Sequence, residues 1–233
     1  MFVFGSALKA LEALKTGDLD HSDLDCIKEL VKALDTHIPE PNRDYDSPFL
    51  MPIEGVHTIP GRGTVVTGKV ERGTLPKGAS IEIVGLTDGE RAKAIVVTGI
   101  QAFHEDKGQA RAGDNVGLLL RGVRRDEVER GQIIAAPGSI RPHAIGTAEI
   151  FVLTSAEGGR EKPFGTGYRP QFFFGTTDVT GTVDLGEAGI ANPGDRAEVK
   201  FTLLKPVGVE KGMRFAMREG SRTIGAGIVT SVA

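Results

Sequence analysis

Tryptophan is absent from the 233 residues, tyrosine occurs only twice, and the single cysteine, Cys26, has no partner for an intramolecular disulfide. A disulfide-stapled secreted scaffold is thereby excluded, and no Cys/His grouping has the spacing of a structural zinc site. A reduced compartment, the cytoplasm or an organellar matrix, is the expectation, with Cys26 inert. No apolar run approaches the ~20 residues that a membrane-spanning helix needs. The opening "MFVFGSALKALEALKTGD" has neither a basic n-region nor a small-residue cleavage site, so a soluble chain without a leader is expected. Positive charge of the kind that announces nucleic acid is also missing, with 28 Lys and Arg against 31 Asp and Glu. The imbalance sits in residues 1–48, which hold five basic against ten acidic side chains. Residues 49–142 hold thirteen against eleven, and residues 143–233 ten of each. Any nucleic-acid contact must therefore come from placed residues rather than from a bulk field.

Glycine is plentiful at 32 residues while aromatics make up 6%, a balance that suits a turn-rich β protein. The length exceeds one usual compact domain, so two cores are expected. Leu8, Leu11 and Leu14 recur at helical spacing behind Ser6. Leu24, Ile27, Leu30, Val31 and Leu34 form a second apolar stripe, predicting a helix over roughly residues 23–36 with Ser22 as its N-cap. "HIPEPNRDYDSPF" then reads as an extended linker. From Phe49 the pattern changes to short β-branched runs, "TVVTGKV", "SIEIVG", "AKAIVVTGI" and "NVGLLLRGV", separated by Gly-containing turns. A second series follows "PGSIRPH". The reading is mainly β, with two antiparallel β-barrels over residues 49–140 and 141–233. A short helical segment over 1–38 and a linker over 39–48 precede them.

The residues of chemistry are sparse. His21, His37, His57, His104 and His143 show no spacing that pairs them with a Ser or Cys nucleophile. Gly63, Gly68 and Lys69 fit the phosphate-loop pattern G-x-x-x-x-G-K-[ST], but the last position is Val70, which cannot ligate magnesium. The run Val65-Val66-Thr67 favours a strand, and a turn rather than a helix follows it. Gly61, Gly63 and Gly68 are expected at turns or close backbone approaches. The charged stretch "RGVRRDEVERG" alternates in sign, as a solvated turn does.

The strings "GSALKALE", "IPEP", "GRGTVVTGKVERG", "NVGLLLRGV", "ERGQ", "YRPQF", "TTDVTGT" and "REGSRTIGAGIV" stand in the order and approximate spacing of the C-terminal part of elongation factor Tu. By this resemblance, which runs through the whole sequence, residues 1–38 are the tail of a GTPase domain and the two barrels follow it. Ser6, Ala7 and Leu8 resemble the last guanine-binding motif. GTP or GDP and Mg2+ are cofactors of the full-length family. The phosphate loop, switch regions and N-K-x-D motif do not occur in these 233 residues, so the chain alone is not expected to hydrolyse GTP.

The resemblance implies aminoacyl-tRNA, the ribosome and a nucleotide exchange factor as partners, and neither a membrane nor DNA. Glu54, Asn115 and Arg130 match first-barrel positions at the acceptor end, and His57, Gln101 and His104 stand at further positions of that end. Arg160, Gln171, Thr180, Lys205 and Gly220 match second-barrel positions near the T stem or the GTPase-domain interface. The family usually has Asp and Phe at positions 55 and 57, where this chain has Gly55 and His57, and an acidic residue at Gln101. The function implied is GTP-dependent delivery of aminoacyl-tRNA to the ribosome, with a stand-alone two-barrel binding module as the alternative.

Overall fold

The computed structural model describes residues 2–86 and 94–233 and divides the chain into two compact units, Met1–Asn42 and Arg43–Ala233. In the first unit, α1 (Ala7–Lys15) is capped by Ser6, whose hydroxyl accepts from the Lys9 N–H at 3.4 Å. The second helix begins later than its pattern suggested. A 3-10 turn, Ser22–Leu24, precedes α2 (Asp25–His37), and the capping acceptor is His21 Nδ1, which takes the Asp23 N–H at 3.2 Å. Ser22 is thus inside the turn rather than its cap. Ala10, Ala13 and Leu24 form the small core of this unit, while Ile27, Leu30, Val31 and Leu34 stay exposed. The Cys26 thiol, half-buried, donates to the Asp23 carbonyl.

The second unit holds every strand among the described residues. Its first half contains β1 (Leu50–Pro52), β2 (Gly55–Ile59), β3 (Gly63–Lys69), β4 (Thr74–Pro76) and β5 (Ser80–Val84), followed by β6 (Ile95–Ala102), β7 (Glu105–Asp106), β8 (Gln109–Arg111), β9 (Asn115–Leu120) and β10 (Ile133–Ala135). Eight of these pair in one sheet, in the path β1-β10-β5-β6-β9-β3-β2 with β7 beside β6, and β4 pairs with β8. The two ends of the path, β1 and β2, are consecutive in the chain. A bend at Ile53-Glu54 returns the sheet to its own edge, and the Ile53 N–H donates to the Gln132 carbonyl while the Glu54 N–H donates to that of Thr67. Alternation decides which side faces in: along β9, Val116, Leu118 and Leu120 are buried and the residues between them are not. Gly63 to Lys69 is strand, as its β-branched residues implied. A Cβ at Gly68 would fall on the Pro52 carbonyl, so that position is a close backbone approach.

The second half contains β11 (Pro142–Val152), β12 (Phe164–Gly165), β13 (Gln171–Phe174), β14 (Thr177–Asp184), β15 (Ile190–Ala191), β16 (Arg196–Gly208), β17 (Arg214–Glu219) and β18 (Arg222–Val232). Six of them close a barrel, β11-β16-β14-β13-β17-β18, with β12 paired to β15 alongside. Phe172, Phe174, Phe201 and Phe215 fill its interior, with ring centroids 5.1–6.3 Å apart in mostly tilted pairs. Closure removes the sheet edges that would otherwise recruit other chains.

The two β halves pack together through Leu50, Val84, Ile133, Ala135 and Ile140, with Met213 against them. The Leu86 N–H donates to the Pro206 carbonyl at 2.8 Å across the junction, and within the first half Gln132 Nε2 donates to the neighbouring Gly85 carbonyl at 3.1 Å. The Thr177 hydroxyl donates to the Gly131 carbonyl, and Arg72 forms a two-pronged ion pair with Glu210. Gly208 is required here, because a Cβ would come within 2.8 Å of the Ile133 side chain.

Candidate nucleic-acid interface

Register places three of the acceptor-end residues on one outer face of the first sheet. Gly55 stands opposite Thr67, Thr67 opposite Gly117, and Gly117 opposite Gln101, in one row across β2, β3, β9 and β6. His57, two residues along β2, shares that face, as does Asn115, two residues before Gly117 on β9 and opposite Lys69. Gly55, Gly99 and Gly117 carry no side chains, so a shallow trough runs between the imidazole of His57 and the amide of Gln101. Gln101 Nε2 donates to Asp106 Oδ1 at 2.9 Å, which turns its amide toward β7. The His57 ring leans over Gly55: a Cβ there would stand 3.0 Å from Nε2 and 2.8 Å from the Thr67 hydroxyl.

Glu54 and Arg130 flank the neighbouring corner, where the Gly131 N–H donates to the Ile53 carbonyl at 3.0 Å. Both side chains are exposed. Upstream of this corner the charged stretch forms a 3-10 turn, Arg125–Glu127, closed by reciprocal hydrogen bonds between Arg124 and Glu127 and bordered by the Arg124–Asp126 ion pair at 3.4 Å.

His104 lies at the tip of the β6–β7 hairpin beside a residue that the sequence reading did not single out. Phe103 and His104 both have positive φ, 51° and 66°, and Phe103 is 88% exposed. A bulky residue in the left-handed region, with its ring in solvent, is an outlier of the sort that concentrates at functional sites. The signal available in the sequence was "AFHE", a two-residue hairpin tip without Gly, Asn or Asp. Beside it, the Lys107 ammonium bonds the Glu105 carboxylate at 2.7 Å and holds it below the ordinary carboxyl range.

In the closed barrel a second row forms. Thr180 stands opposite Gln171, Gln171 opposite Arg218, and Arg218 opposite Thr223, so four strands present these side chains on the outer surface. Lys205, exposed, lies two residues beyond Leu203, which pairs with Gly181. Gly220 takes a left-handed φ of 58° in the two-residue turn between Glu219 and Arg222. Gln171, Thr180, Lys205 and Gly220 therefore gather at one end of the barrel.

Arg160 reaches this end differently from its neighbours. Its side chain is only 15% exposed, and its Nη1 bonds Glu219 at 3.3 Å. Its Nε donates to the Lys162 carbonyl at 2.7 Å, and its guanidinium covers the rings of Tyr168 at 4.8 Å and Phe164 at 5.4 Å. Such an arginine orders the hairpin turn that carries Gly220 more than it offers a free cation. Arg218, absent from the sequence-based set, lies over Phe173 at 5.2 Å, and its Nε is buried without a hydrogen-bond partner among the described residues.

Ser6, Ala7 and Leu8 are exposed, and the Ser6 hydroxyl is engaged as a helix cap. Among the described residues no group of three His, Cys, Asp or Glu could hold a metal ion, and no helix is long and apolar enough to cross a membrane.

An eight-stranded sheet with His57, Gln101 and Asn115 on one outer face, packed on a closed six-stranded barrel that carries the row Thr180–Gln171–Arg218–Thr223, defines a two-β-domain architecture. Residues 63–135 match the family model for elongation factor Tu domain 2, and residues 139–233 match that for the elongation factor Tu C-terminal domain. The chain carries the C-terminal region of an elongation factor Tu-like translational GTPase, and its function is of the translation-elongation type.

Proposed function

We propose that this chain is the tRNA-holding part of an elongation factor Tu, which in full delivers aminoacyl-tRNA to the ribosomal A site in a GTP-dependent cycle. The row Thr180–Gln171–Arg218–Thr223 on the closed barrel is the observation that carries this reading. Three strand spacings of ~4.8 Å make it about 14 Å long, a ledge of hydroxyls, amide and guanidinium suited to sugar and phosphate rather than to base edges. Contact of that kind reads the shape of an RNA stem and tolerates sequence.

In this reading the trough between His57 and Gln101, with Asn115 beside it, takes the 3′ end. Glu54, His104 and Arg130 border the trough. Gln171, Thr180, Lys205 and Gly220 grip the stem, and Arg160 positions the Gly220 turn. The nucleotide cycle, with GTP, GDP and Mg2+, resides in a GTPase domain. The only near match to a phosphate loop in this sequence runs along β3 (Gly63–Lys69) and ends in Val70, directly after that strand. The ribosome and a nucleotide exchange factor are the further partners, in the cytoplasm or an organellar matrix. A stand-alone two-barrel RNA-binding module is the second reading, favoured by the compactness of Arg43–Ala233 as one unit.

The test is binding of fluorescent aminoacyl-tRNA to this chain across a salt series, with a DNA hairpin of the same stem sequence as control. Affinity is expected to fall with salt by about 0.7–0.9 log units per log unit for each phosphate contacted, and the DNA hairpin to bind more weakly for want of 2′-hydroxyls and A-form shape. Equal binding of DNA and RNA, or no salt dependence, defeats the proposal.

A further inference from the structure

One cavity belongs to neither row. It is a cleft of about 440 Å3 between the two β halves, within the size range of small-molecule sites, which favour domain interfaces. Its apolar walls come from Leu50, Pro52 and Ile133 on one side and Phe174, Gly175 and Met213 on the other. These walls are preformed. Leu50 and Ile133 belong to the buried cluster that joins the halves, and Met213 packs against it.

The charged lining is uneven. Arg72 and Glu210 are committed to each other in their two-pronged pair, with the second contact at 3.1 Å. That leaves the carboxylates of Asp44 and Glu71 on the first half and the guanidinium of Arg214 on the second. Neither Glu71 nor Arg214 has an ion-pair partner among the described residues. Three acidic groups against two basic ones leave the cleft with a net negative charge of one. The Asp44 carboxyl is held below its ordinary range chiefly by the hydrogen bonds from Ser47, with Arg72 adding to the effect, so it is ionised at neutral pH.

From this geometry we infer that the interdomain cleft is a binding site for a small amphipathic cation, a molecule with an apolar body of aromatic-ring size and one ammonium or guanidinium group. The body lies between Phe174, Met213 and Leu50, and the cation faces Asp44 and Glu71.

The experiment is a titration of the isotope-labelled full chain, followed by amide chemical shifts, with three probes of matched shape: 2-phenylethylamine, 2-phenylethanol and 3-phenylpropionate. Saturable shifts at Leu50, Gly175 and Met213 are expected, with the amine binding most tightly and the carboxylate least. Glu71→Gln should weaken the amine by about two- to fivefold, the weight of one part-exposed ion pair, and leave the alcohol unchanged. Arg214→Ala should act in the opposite direction and tighten the amine, a sign that damage to the fold would not produce. Preference for the carboxylate, scattered shifts, or unchanged amine affinity in both variants overturns the proposal. Shifts at the same amides on concentrating the chain without probe would show a second copy as the occupant, and would also overturn it.

Discussion

The β6–β7 hairpin should become more stable when its tip is replaced. Gln101 pairs with Asp106 and Ala102 with Glu105, leaving Phe103 and His104 as a two-residue turn with φ of 51° and 66°. A turn with both central residues at positive φ is the type I′ geometry, for which Asn-Gly is the favoured pair. Holding an ordinary L-residue in this region costs roughly 1–2 kcal/mol, so the two positions together hold about 2–4 kcal/mol of strain. Phe103 is 88% exposed, so removing its ring forfeits little burial. The glycine returns about 0.5–1 kcal/mol of that gain through the greater freedom of the unfolded chain. Phe103→Asn combined with His104→Gly is therefore expected to stabilise the second unit by about 1–3 kcal/mol. In urea this would appear as a higher midpoint at unchanged slope, and in thermal melts as a rise of roughly 2–4 °C per kcal/mol. The same variant should bind aminoacyl-tRNA more weakly, because an exposed ring beside Gln101 is a stacking platform worth about 1–3 kcal/mol per base. An unchanged or lower midpoint, with the hairpin's cross-strand contacts intact by NMR, would refute the strain argument. A stabilised variant with undiminished RNA affinity would refute the functional half alone.

Arg160→Ala should destabilise the closed barrel by about 1–3 kcal/mol, since it removes a part-buried ion pair and two cation–π contacts, and Arg160→Lys should recover little in urea unfolding because a lysine lacks the planar fork. Gly208→Val places a branched side chain against Ile133 and should cost about 1–3 kcal/mol of overpacking, seen in calorimetry as separation of one transition into two. Burial raises the Tyr168 hydroxyl above its ordinary pKa of 10.0, against the opposing pull of Arg160. The folded state therefore favours the neutral phenol, and that contribution, full below the unfolded value, is lost as pH rises through the folded one. The phenolate absorbance lost in Tyr168→Phe, taken as the difference between the two proteins, should rise at higher pH than that of a free phenol. Glu157, whose carboxyl is lowered by its hydrogen bonds from Thr154, contributes stability above its ordinary pKa of 4.5 that is lost as pH falls through the folded value. An NMR titration of Glu157 that matches a free glutamate would contradict this.

Much of the local structure was legible because its cause is local. The alternation in "NVGLLL" fixes which side of β9 faces inward, and the Leu8, Leu11 and Leu14 spacing marks α1. The β-branched run Val65-Val66-Thr67, with Val70 in place of a metal-binding hydroxyl, identifies a strand where a phosphate loop was conceivable. The quoted strings also located the two β domains. Periodicity reaches only a few residues, however, and the candidate site is assembled by register across strands far apart in the chain. The engagement of Arg160 left no trace in the sequence because its partner Glu219 lies 59 positions away. Arg218 and Phe103 drew no notice because one gains its meaning from Phe173 on the neighbouring strand and the other from a backbone angle. The cleft between the β halves leaves no mark on any single segment, because its walls come from five separate stretches. What the sequence alone determined is the strands, the turns and the chain's family. Which side chains stand free, which are committed to one another and where a ligand can enter were decided by tertiary structure, because sheet register and domain packing bring together residues that no local pattern connects.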